Sequence, residues 1–174
     1  MAGAVVASLR QAGASPIALV AAPGDEELQA WAREAGLVAA VNPAPERGML
    51  STIRAGIEAL GGAAELARRG EVLLVSPADL PQMRAETVRE LLRRRDESGA
   101  LLAVPVHRGR RGHPLVIAPA LLLEIDMLDL DVGLRQLLDR HAAAVLEVET
   151  EDPGVVEDVD TPEDYERLSG LALP

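Results

Sequence analysis

The sequence predicts an α/β fold, a single domain over residues 1–174 built on a mostly parallel sheet. Short apolar runs alternate with stretches of helical periodicity, the pattern of strands joined by crossover helices. The run at 71–76, EVLLVS, is apolar nearly throughout, as a parallel strand covered on both faces must be. With 174 residues, 48% of them hydrophobic, the chain is long enough to bury one core.

Residues 2–12 read as a helix closed by Gly13, and 16–22 (PIALVAA) as a short buried strand. The stretch 24–35 is helical, with acidic residues in the first turn where the helix dipole favours them, and Gly36 ends it. A second short strand follows at 37–41. Met49, Ile53, Ile57 and Leu60 recur at helical spacing across 48–60, which predicts a helix there. After the strand at 71–76 and the break from Pro77 to Pro81, a helix is expected near 84–97. Residues 100–106 and 114–118 read as strands joined by a basic, Gly-rich loop. Helices near 119–126 and 132–141, a strand at 143–148 and a last helix starting near Thr161 complete the reading.

Composition narrows the function. The net charge of -11 repels a phosphate backbone and argues against nucleic-acid or anionic-membrane partners. Trp31 and Tyr165 are the aromatic residues, too few for a base-stacking platform. All 17 basic residues are arginine, so no lysine is present to act as a Schiff base or phosphate ligand. Without cysteine there are no disulfides or thiolate metal sites. No signal-peptide pattern and no apolar run of membrane-spanning length occurs, so the expected compartment is the cytoplasm.

Four constellations could carry chemistry. In SPADLP, Asp79 falls just past the carboxyl end of the best strand, where α/β sheets bind ligands, and a carboxylate there suits Mg²⁺ beside phosphate. An Asp between prolines is also ordinary turn chemistry. In VEDVDTPED, Asp158 and Asp160 share one face of an extended segment, an arrangement that a cation relieves, although helix capping accounts for part of the motif. In ERGMLSTIRAG, a Gly turn leads into a helix whose free N–H groups can hold an anion or a base carbonyl, with Ser51 and Arg54 as further donors. In HRGRRGHP, three arginines and His113 could grip phosphate, or form a solvated hairpin loop.

In order and spacing, NPAPERGMLSTIRAGIEAL, LLVSPADLPQM, GRRGHPLVIAP, DVGLRQLL and DVDTPEDYERL resemble the MobA/MocA-like nucleotidyltransferases, which attach CMP or GMP to molybdopterin. The likeness runs from about residue 3 to residue 168. It implies a Rossmann-like three-layer sandwich and a Mg²⁺-dependent transfer from CTP or GTP with release of pyrophosphate. By the resemblance, Asp79 and Asp160 are the catalytic, metal-holding acids, with Asp158 as a further metal ligand. Gly48, Met49, Ser51 and Arg54 would bind the nucleotide, and Arg111 and His113 the acceptor. The family opens with a strand and a triphosphate loop of the form L-A-x-G-x-S-x-R-M-G-x-x-K. Here Met1 falls in the helix that should follow that loop, so the first strand and the loop are expected to be missing, and the sheet to carry a gap or an open edge. A second copy could then donate a strand in a homo-oligomer. The rival readings are an inactive, truncated homologue that binds nucleotide or a partner, and a transferase for another phosphorylated or sugar-acid acceptor.

Overall fold

The computed structural model describes residues 1–159. Helices run over Ala2–Gln11 (α1), Glu26–Glu34 (α2), Met49–Ala59 (α3), Ala63–Arg68 (α4), Ala85–Ser98 (α5), Leu122–Ile125 (α6) and Arg135–Arg140 (α7). Strands are Ala18–Ala21 (β1), Val38–Val41 (β2), Leu73–Val75 (β3), Leu102–His107 (β4), Arg110–Arg111 (β5), Leu115–Ile117 (β6) and Val145–Glu149 (β7). The alternation read from the sequence is present. Asp160 and the helix expected near Thr161 lie outside the described residues.

The strands form two sheets rather than one, and the chain divides into two units. Of the described residues, one unit combines Met1–Ala14, Leu74–Val116 and 146–159. It carries the five-stranded sheet, ordered β3-β6-β4-β5, with β7 also pairing β4. β4 is buried at all six positions, which explains its unbroken apolar run. Helix α5 packs on β4 through Ala85, Val88 and Leu91, and α1 packs on α5. Gly99, in the left-handed conformation, closes α5.

The other unit combines Ser15–Leu73 and Ile117–Val145. Here β1 and β2 pair in parallel, Ala18 opposite Val38 and Ala21 opposite Val41, with α2 and α3 packed on them. Asp25 caps α2 by accepting from the Leu28 amide at 3.1 Å. Helix α3 buries Leu50, Ile53, Gly56 and Ile57. Gly56 lets it approach closely, since a Cβ there would meet Val20 Cγ2 at 3.1 Å. Ile53 and Ile57 of the spaced apolar set are thus buried, with Leu50 beside them. Met49 is 63% exposed.

Helix α4 and the short strand β5 escaped the sequence reading. Helix α4 is six residues long, too short to show a period, and is held by packing against α6 and the turn Pro119–Leu121 through Ala63 and Leu66. The expected loop HRGRRG contains β5 and is a tight hairpin: β4 and β5 pair antiparallel, His107 opposite Arg110. Arg108 (φ 50°) and Gly109 (φ 75°) form the two-residue turn, with the positive φ at both positions that the strand twist demands.

Candidate active site

In the unit carrying the five-stranded sheet, β3 ends at Val75, and the loop after it brings Asp79 past its carboxyl end. The Asp79 carbonyl accepts a hydrogen bond from the Val159 amide at 3.0 Å. That bond ties the two acidic segments together. Asp158 is exposed, next to buried Val159. Oδ1 of Asp79 is buried and has no hydrogen-bond partner.

His113 enters this region from the start of β6, through a cis bond to Pro114. Its amide donates to the Val155 carbonyl at 2.8 Å, and the Gly112 amide donates to Pro105 at 2.8 Å. Burial pushes the His113 imidazole below its ordinary pKa; a hydrogen bond with the Val75 main chain and the charge of Asp79 oppose that fall. Its Nδ1 is buried and lacks a partner. Arg111 pairs with Glu147 of β7, Nε and Nη2 both at 2.6 Å from Oε1, and the two side chains are about half exposed.

Residues 152–159 act as a strap across these loops. Asp152, 2% exposed, accepts from the Arg84 amide (2.9 Å), the Thr87 hydroxyl (2.8 Å) and the Gly154 amide (3.0 Å). Gly154 lies against the main chain of Gln82 and Met83, and Gly112 against that of Val155, each too close to admit a Cβ. The sequence reading missed Asp152, Gly112 and Gly154. The sequence carries one trace of the strap, D-P-G at 152–154, which is also a generic turn signal.

In the other unit, Gly48 (φ 84°) opens α3 in a conformation suited to glycine. Buried Asn42, also missed, organises the turn before it. Its Nδ2 donates to the Ser51 hydroxyl (2.8 Å) and the Thr52 hydroxyl (2.9 Å), and its Oδ1 accepts from the Ala44 amide (3.0 Å). Ser51 Oγ lies 2.7 Å from the Gly48 carbonyl and 3.1 Å from that of Ala44. Beside this turn runs an open groove of about 350 Å³ lined by Asn42, Arg47, Ser51, Arg54, Glu58 and Asp126 among others. Arg54 is committed to the fold. Its Nε donates to the Ile125 carbonyl (3.1 Å), and its Nη2 to those of Ile125 (2.8 Å), Asp126 (3.1 Å) and Leu128 (2.7 Å).

Residues 1–145 match the MobA-like NTP transferase domain. The chain belongs to that family. Its fold is Rossmann-like, and by its family the chain is a MobA-like nucleotidyltransferase. It is 25% identical over 144 residues to the molybdenum cofactor cytidylyltransferase of Escherichia coli K12, covering 82% of this chain and 67% of that protein. Among solved structures, it resembles Rv0371c of Mycobacterium tuberculosis H37Rv, with TM-score 0.73, 27% identity and coverage of 98% of this chain and 83% of that one. A manganese complex of the same mycobacterial protein aligns with TM-score 0.72 at 25% identity, covering 96% and 84%. Among the described residues of this MobA-like domain, no helix is long and apolar enough to cross a membrane.

Proposed function

We propose that this MobA-like domain transfers CMP from CTP, or GMP from GTP, to molybdopterin or a related phosphorylated acceptor. An acceptor phosphate oxygen attacks the α-phosphorus, the bond from that phosphorus to the bridging oxygen breaks, and pyrophosphate leaves. The observation that carries the reading is the Val159–Asp79 hydrogen bond, which joins the segment holding Asp158 to the Asp79 loop. The relationship to the cytidylyltransferase favours CTP and molybdopterin.

One feature of the Asp79 loop fits a divalent cation, although among the described residues no group of three His, Asp or Glu side chains is placed to hold one. Asp79 Oδ1 is a buried carboxylate oxygen without a protein partner, the state expected of an oxygen that faces a positive charge. Asp79 would hold the cation, taken as Mg²⁺, with Asp158 and Asp160. Bound there, it would offset phosphate charge and align the reacting groups. In the other unit, Gly48 presents the start of α3, exposed Met49 offers an apolar contact for a base, and Asn42 holds Ser51 in place. Arg54 serves by fixing α3 rather than by touching nucleotide. Arg111, in an exposed ion pair that costs little to open, and His113 would face the acceptor.

Calorimetry with CTP and GTP, with and without Mg²⁺, tests the reading. Mg²⁺-linked nucleotide affinity, lost in Asp79→Ala, supports it, and pyrophosphate release with molybdopterin establishes the transfer. A chain that binds neither nucleotide in a Mg²⁺-linked way refutes it and leaves a partner-binding module.

A further inference from the structure

The connection from α6 to α7 carries Leu123, Met127 and Val132, which are 55%, 78% and 55% exposed. The Met127 amide donates to the Glu124 carbonyl at 3.0 Å, so the helical turn continues past Ile125 and sets Leu123 and Met127 on one face. Asp126, Asp129 and Asp131 are exposed in the same stretch. The side chains of Asp126 and Asp131 have no hydrogen-bond or ion-pair partner among the described residues. The main chain beneath them is pinned. Arg54 donates to the carbonyls of Ile125, Asp126 and Leu128. Gln136 Nε2 donates to the Asp129 carbonyl at 2.7 Å, and its Oε1 accepts from the Asp129 amide at 3.2 Å. An apolar surface rimmed by acids is thus held in one shape, which is the preorganisation that docking rewards. Exposed methionine beside leucine is the composition of surfaces that bind partners.

The complementary surface is carried by the same sequence. The β4–β5 hairpin presents Arg108 and Arg110, both exposed and neither side chain with a partner among the described residues. Its turn is tight, with positive φ at Arg108 and Gly109, so the two guanidinium groups ride on a stiff tip. In a chain of net charge -11 a basic tip is the exception. Arginine brings an apolar stem as well as a planar charge, so it can lie on Met127 and Leu123 while its head meets Asp126 or Asp131. We propose that the hairpin tip of one copy docks on the 123–132 surface of a second copy, so that the protein self-associates through these two patches. Two different patches meet, and a pair of chains can make the contact twice. Burial of the apolar side chains supplies the affinity. The charges select the partner and its orientation, since exposed ion pairs contribute little alone.

Sedimentation equilibrium of the whole chain, at about 0.1 M salt and over about 1–100 μM protein, tests this. The expected result is a mean mass that rises with concentration. Arg108→Glu with Arg110→Glu, and separately Asp126→Arg with Asp131→Arg, should each lower the association constant about tenfold or more, because each sets like charges face to face. Mixed in equal amounts, the two double variants should associate again. The reversed hairpin then faces the reversed loop, and the unaltered hairpin faces the unaltered loop. Met127→Ser should weaken association without changing any charge. All these positions are exposed, so thermal melting should show each variant folded. A chain that stays monomeric throughout overturns the proposal. So does association that neither charge reversal weakens, or a loss that mixing does not restore.

Discussion

Replacing Gly154 with alanine tests the strap that joins the site's loops. A Cβ on Gly154 would lie 2.4 Å from both the carbonyl carbon and oxygen of Gln82, and 2.6 Å from the Met83 amide nitrogen. Ordinary contacts of this kind are about 3.5–4 Å, so one main chain must retreat by about 1 Å. The atoms struck cannot rotate aside as a side chain could. Gly154 is not among the glycines with positive φ, so alanine can adopt its backbone conformation and the cost is steric. Overpacking typically costs about 1–3 kcal/mol, and a main-chain clash belongs at the upper end. Reduced freedom of the unfolded chain returns about 0.4–1 kcal/mol. The net expectation is a loss of about 2 kcal/mol, or roughly 4–8 °C in melting temperature for a chain of this size. Calorimetric melting of the two proteins, with and without divalent cation, is the assay. A Gly154→Ala melting temperature within about 1 °C of wild type would refute the claim that 152–159 is clamped against the 82–83 main chain.

Other outcomes follow from the same contacts. Asp152→Ala leaves the Arg84 amide, Thr87 hydroxyl and Gly154 amide without their acceptor, and should cost about 3 kcal/mol in denaturant unfolding; Asp152→Asn, which keeps one acceptor oxygen, should cost less. Arg54→Lys retains the charge but cannot serve three carbonyls at once, and should lose about 1–2 kcal/mol of stability. Weakened nucleotide binding at unchanged stability would instead place Arg54 on the ligand. His113 gives a pH dependence, measured in EDTA. Its folded pKa lies below the unfolded value of about 6.5, so below that pH the unfolded chain takes up a proton that the folded one resists. Stability should therefore fall as pH drops from about 6.5 through the folded pKa and be unaffected above that window. His113→Gln should flatten this part of the profile, and an unchanged slope would show that His113 is not its source.

Periodicity and turn chemistry were enough to place most elements, because the strands and longer helices each bury a face that the sequence must keep apolar. The run around β3 and the six buried positions of β4 are examples. The motif order also identified the family, and Asp79, Asp158 and His113 were nameable from it. Element α4 was not legible, because six residues do not define a period and its stability comes from packing on α6. Spacing did not say which of Met49 and Leu50 faces inward, because both are apolar; packing buries Leu50 and leaves Met49 exposed.

What the sequence determined by itself was local: alternating strands and helices, an acid after the best strand, an acidic segment near the far end, an arginine-rich hairpin. Tertiary structure alone decided which of these meet. It set Val159 against Asp79 and left Asp79 Oδ1 and His113 Nδ1 buried without partners. It turned Arg54 onto three carbonyls and made Asp152 a staple. The physical reason is that hydrophobic burial is periodic along a chain and so is written in it. Hydrogen bonds between residues tens of positions apart depend on where packing brings their backbones, and no spacing rule records that.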